Sequence, residues 1–111
     1  MVLIKIGGTD VLREEFPNTN WRDYHVRQEL TDERLEYERG CPRREANTVL
    51  RALIRIRGVV RVILKPYRAT IVKSPAYTWA EIELQVLRVL EGAGYEYRGN
   101  KFPTIPVYDS Y

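Results

Sequence analysis

A chain of 111 residues, 44% hydrophobic and 30% charged, fits one globular domain with its own core, and its composition excludes a disordered chain. Its 18 Lys and Arg against 15 Asp and Glu leave a net charge of +3 and a pI near 9.1, a bias that permits an acidic partner without requiring one. A single cysteine excludes an internal disulfide and any multi-thiolate metal or cluster site built within one chain. No run approaches the roughly 18 apolar residues of a membrane span, and the start MVLIKIGGTD lacks the basic and apolar regions of an export signal, so a soluble cytoplasmic protein without membrane contact is expected.

Val2 to Ile6 is short and β-branched and predicts a strand ending at Gly7-Gly8. Thr9 to Phe16 reads as a loop or short turn, stopped by Pro17 and Asn18. Trp21 to Val26 predicts an extended segment. Thr31 to Arg39, with Leu35 and Tyr37 as its only large apolar groups, reads as a surface excursion or a short edge strand blunted by charge.

A first helix is expected to start after Cys41, with Pro42 at its first position and Glu45 near its positive end. Ala46, Val49, Leu50, Leu53 and Ile54 form its apolar stripe, and Gly58 stops it. Val59 to Leu64 and Ala69 to Lys73 predict a hairpin turned at Lys65-Pro66-Tyr67-Arg68. Thr78 and Glu81 make a capping box for a second helix with Trp79, Ile82, Val86, Val89, Leu90 and Ala93 on one face, ending at Gly92 and Gly94. Residues 1–94 therefore read as an α/β domain, and 95–111 as a tail with a short hairpin through Tyr95, Tyr97 and Phe102. The expected fold is an α+β two-layer sandwich, a twisted, mainly antiparallel sheet with two helices on one face.

The chemistry-bearing residues are few. Cys41 sits at the expected helix start beside Arg43 and Arg44, where dipole and cations would activate a thiol, but no base is placed near it; an unreactive cysteine is the simpler reading. His25 lies between Tyr24 and Val26, where a half-buried imidazole on a sheet is expected and nothing points to a metal. Arg44, Arg51 and Arg55 fall opposite the apolar stripe and form a basic line suited to phosphate or acidic protein surface, or simply a solvated face. Leu84 is an apolar group on the polar side of the second helix, ordinary surface or an anchor for a partner. Neither glycine pair forms a phosphate loop.

Residues 1 to 91 resemble the N-terminal domain of Nfu/NifU-type iron–sulfur scaffold proteins. The resemblance is carried by the turn Pro17-Asn18-Thr19-Asn20, the extended run Trp21 to Val26, a helix over Leu50 to Ile56 entering Gly58-Val59, a hairpin from Val62 to Pro66 and Thr70 to Lys73, and Trp79 with Glu81. The turn departs from the family's pattern in having Phe16 before it and Thr19 within it, and the family's cluster-binding Cys-x-x-Cys domain is not in this sequence. The resemblance thus implies a docking module beside iron–sulfur assembly, meeting protein components or clients, without cluster ligands of its own. The stretch from Gly40 also looks like heavy-metal-associated ferredoxin-like domains, yet Arg44 replaces their second cysteine, which would remove metal transfer.

The expected function is therefore a non-catalytic protein-interaction domain with no cofactor, contacting partners through Arg44, Arg51 and Arg55 or near Leu84. A small nucleic-acid-binding protein using the same basic face, with tail tyrosines for stacking, is the alternative. A thiol-dependent or metal-handling protein centred on Cys41 is the weaker one.

Overall fold

A computed structural model of the protein describes residues 1–40 and 47–101. The elements run β1 (Val2–Ile6), β2 (Thr9–Glu15), β3 (Trp21–Val26), β4 (Leu35–Glu38), α1 (Thr48–Ile54), β5 (Val59–Lys65), β6 (Arg68–Lys73) and α2 (Trp79–Lys101). All pairings are antiparallel, in the order β1-β2-β3-β6-β5-β4. The fold is the expected two-layer α+β sandwich, with both helices packed on one face of the sheet around a core that includes Tyr24, Leu50, Leu53, Val62, Ile71, Ile82, Val86 and Leu90.

The pleat divides each strand between two faces. On β6, Ala69, Ile71 and Lys73 are buried on the helix side, while Arg68, Thr70 and Val72 face the other way. On β3 the helix side takes Arg22, Tyr24 and Val26, and Trp21, Asp23 and His25 fall on the opposite side. The pairing of β5 with β6 shifts between Val59 and Arg61, a bulge at Val60 that lets both Val59 and Val62 reach the core.

Three local readings are corrected. Thr9–Glu15 is a full strand instead of a loop, because Gly7 and Gly8 both adopt positive φ, 54° and 84°, the geometry of a two-residue hairpin turn. Only Val11 of β2 is fully buried, so apolar patterning could not reveal the strand. The first helix begins at Thr48, not after Cys41. Asn47 keeps extended backbone, φ −71° and ψ 120°, and its side chain accepts the Leu50 N–H at 2.9 Å, which satisfies an otherwise orphaned donor. Residues 41–46, including Pro42 and Ala46, lie outside the described residues.

The third correction concerns α2, which continues through Gly92 and Gly94 to Lys101, so Tyr95 and Tyr97 belong to a helix and not to a hairpin. A glycine ends a helix when the chain there turns left-handed, and Gly92 does not. Phe102 and the rest of the tail lie outside the described residues.

Gly58 does stop the first helical segment as expected, at φ +98°, and hands the chain to β5. Arg39 closes the same end: its guanidinium donates to the carbonyls of Ile54, Ile56 and Val59, bringing a cation to the negative end of α1. The capping box also forms, with the Thr78 N–H donating to Glu81 Oε2 at 2.8 Å and the Thr78 hydroxyl at 3.0 Å. These bonds hold the Glu81 carboxyl below its ordinary range.

A Cβ at Gly58 would stand 2.8 Å from Tyr77 Cγ and 2.9 Å from Ile82 Cδ1, whereas one at Gly8 would meet nothing within 4 Å. Gly58→Ala is therefore expected to cost about 2 kcal/mol in urea unfolding and Gly8→Ala about half of that, the second paying for backbone conformation alone. For Glu81, the depressed folded-state value means its contribution is present above the ordinary carboxyl value of 4.5 and is lost as pH falls through the folded one. Urea midpoints of wild type and Glu81→Ala should differ at neutral pH and converge in acid; a constant difference would refute the charged cap.

Candidate functional site

The sequence-predicted partner residues lie on the helix layer. Arg51 and Arg55 are on the outward side of α1, opposite buried Leu50, Leu53 and Ile54. Leu84 is 54% exposed on α2, two residues from fully buried Ile82 and Val86. Arg44 and Cys41 lie outside the described residues.

Beneath α2 is a polar cluster that sequence reading missed. Glu83 accepts from Arg13 Nη1 at 2.8 and 3.0 Å, from Arg22 Nη1 at 2.8 Å and from the Tyr24 hydroxyl at 2.8 Å. Arg13 and Arg22 come from neighbouring strands on the helix side of the sheet, where alternation puts them beside Tyr24. Burial and the charge of Glu83 push the Tyr24 phenol well above its ordinary range. Burial alone would loosen the Arg13 proton, and the hydrogen bond and charge of Glu83 more than reverse this. The Arg22 guanidinium also stacks over Trp79, 4.6 Å from the ring centre.

Trp79 in turn ties the helix to the turn before β3. Its indole N–H donates to the Thr19 carbonyl at 2.6 Å, and Lys73 Nζ donates to Asn20 Oδ1 at 2.9 Å from the end of β6. The turn closes on itself through Asn18 Oδ1, which accepts the Asn20 N–H at 3.0 Å. Asn18, Thr19 and Asn20, Lys73 and Trp79, distant in sequence, thus form one corner of the molecule.

The sheet face away from the helices is covered by no element among the described residues. It carries rows of paired charges. Arg61 and Arg34 both hold Glu36, whose carboxyl their hydrogen bonds keep below its ordinary range. Arg61 also lies over Trp21 at 5.7 Å. Glu14, Asp23 and His25 meet here, each offering a ligand atom within 4.8 Å of the others.

This triad arises because β2 is a strand. Glu14 pairs with Asp23 in register, and His25 is two residues further along β3 on the same face. Reading Gly7-Gly8 as a hairpin turn would have placed Glu14 there. The set could hold a divalent cation, but its contacts also stand without one. Glu14 Oε1 lies 3.0 Å from His25 Nε2, Thr70 Oγ1 donates to Asp23 Oδ1 at 2.5 Å, and Arg68 comes within 3.8 Å of Asp23 Oδ2, a cation that opposes a metal ion. Beside the triad, a cavity of about 470 Å³ opens between the turn before β3 and the centre of the sheet.

No helix among the described residues is long and apolar enough to cross a membrane. No family model matches the chain, and no curated protein sequence matches it significantly. The crystal structure of protein SAV1430 from Staphylococcus aureus is similar, with a TM-score of 0.57 and 15% sequence identity, covering 81% of this chain and 99% of its own. At that identity the likeness establishes a shared fold.

Glu83→Ala would leave two largely buried guanidinium groups with only the exposed Glu15 carboxylate, 3.0 Å from Arg13 and 3.8 Å from Arg22, and the Tyr24 hydroxyl without its acceptor. A loss of about 3 kcal/mol in urea unfolding is expected. Leu84→Ala, one residue away on the exposed side, should change stability by less than about 0.5 kcal/mol, so the pair separates the polar cluster from helix propensity.

Proposed function

We propose that the protein is a non-catalytic docking domain of the iron–sulfur scaffold type, without cluster ligands of its own, which meets protein partners through the outer side of its helix layer. The observation that carries this reading is the corner at Trp79. The landmarks on which the resemblance rests, the Pro17–Asn20 turn, the end of the β5–β6 hairpin and the Trp79–Glu81 helix start, are joined there by the bonds from Trp79 to Thr19 and from Lys73 to Asn20. The fold itself follows the order of elements that the resemblance implies.

The exposed Arg51 and Arg55 offer charge, and Leu84 an apolar contact, for an acidic partner surface on the helix side.

The test uses the purified chain and a cluster-loaded scaffold carrying a Cys-x-x-Cys domain. Association is expected by calorimetry, weakened at least about tenfold by Arg51→Glu with Arg55→Glu. No association, or visible absorbance from the chain alone after anaerobic reconstitution, would refute the docking reading. Retardation of RNA or DNA at low salt, lost as salt rises, would replace it with nucleic-acid binding.

A further inference from the structure

The cavity on the open face has a lining that sorts into two chemistries. Phe16, Pro17 and Trp21 with Ile63 supply an apolar, largely aromatic wall; Lys65 and Arg68 supply charge. A third cation, Arg34, also lines it, against the single carboxylate of Asp23. The site is therefore electropositive next to a flat hydrophobic surface.

The bonding of these groups leaves donors unspent. Arg34 is occupied by Glu36 at 3.1 Å. Asp23 is already the acceptor of the Thr70 hydroxyl and reaches Arg68 only at 3.8 Å. Arg68 Nε is buried and has no hydrogen-bond acceptor, and the Lys65 ammonium has no ion pair or hydrogen bond among the described residues. An anion entering the cavity would meet the Lys65 ammonium and the exposed part of the Arg68 guanidinium, which no carboxylate holds within hydrogen-bond distance.

Size points the same way. A volume of about 470 Å³ falls within the roughly 300–1,000 Å³ of small-molecule sites, in which apolar walls supply contact area and a few polar groups fix orientation. We propose that this cavity binds a small organic anion with a flat apolar body, such as an aromatic carboxylate, sulfonate or phosphate monoester. The flat body lies against Trp21 and Phe16, and the anionic head takes hydrogen bonds from Lys65 and Arg68. This inference is independent of the docking reading, because the cavity and the exposed arginines of α1 lie on opposite sides of the sheet.

The probes are anilinonaphthalene sulfonate, a flat ring system with an anionic head, and phenylnaphthylamine, the same rings without the charge. Fluorescence titration of the full chain should give one sulfonate site, with the neutral probe at least about tenfold weaker. Lys65→Gln should weaken the sulfonate and leave the neutral probe unchanged, and adding Arg68→Gln should erase the difference between the two. Arg51→Gln with Arg55→Gln should alter neither. Equal affinity for both probes, sulfonate binding insensitive to Lys65→Gln, or equal loss with the α1 variants would overturn the proposal. If circular dichroism shows that the double variant does not fold, the single Lys65→Gln result decides.

Discussion

A carboxylate on the inner edge of α2 sets the relation between the two layers. Glu83 sits one residue past Ile82 and three before Val86, at the margin of the apolar stripe, and it accepts hydrogen bonds from two guanidinium groups and a phenol fixed on β2 and β3. Apolar packing tolerates small slides of a helix over a sheet; a carboxylate whose donors stand on two paired strands does not. Such a cluster contributes little net stability over apolar groups of equal volume, since its charges are desolvated. What it fixes is the position of α2, and with it the seat of Trp79 against the turn before β3.

Because both helices lie on one face, the sheet must make its other face compatible with water. It does so by pairing charges across strands: Lys5 with Asp10, Glu14 with His25, Asp23 with Arg68 and Glu36 with Arg61. The two edges are handled differently. β4 is only four residues long and carries Glu36 and Glu38, which blunts it as a template for further pairing. β1 is guarded by Lys5 alone on its open side and leaves Val2 and Leu3 substantially exposed.

The helices, the β5–β6 hairpin and the capping box were legible because each has a local cause: an apolar stripe, a proline at a turn, a threonine and a glutamate three apart. β2 was not, since its residues are mostly polar on both faces, Leu12 is exposed and only Val11 is fully buried; its evidence lay in the preceding glycine pair. The start of α1 was misplaced because Pro42 and Asn47 are both good helix openers, and the choice between them was made by the Asn47 side chain bonding Leu50. The roles of Arg39, Glu83 and Leu30 were not legible at all. Nothing flanking Arg39 or Glu83 marks the bonds they make across the fold, and Leu30, fully buried outside any strand or helix, has its N–H held by the Pro66 carbonyl at 2.7 Å. These are tertiary facts, set by what lies opposite each residue and not by what flanks it.

The same distinction explains why the cavity and the helix anchor, though on opposite faces, share one strand. Strand alternation sends Trp21 to the open face, where Arg61 lies over its ring, and Arg22 to the closed face, where it lies over Trp79 and bonds Glu83. Two adjacent residues of β3 thereby fix an aromatic wall on one side and the helix on the other. The turn leading into them is held by Trp79 and also supplies Pro17 and Asn18 to the cavity rim. The shape of the open-face site is thus set from behind: the polar cluster under α2 positions Trp79, Trp79 positions the turn, and the turn closes one side of the cavity.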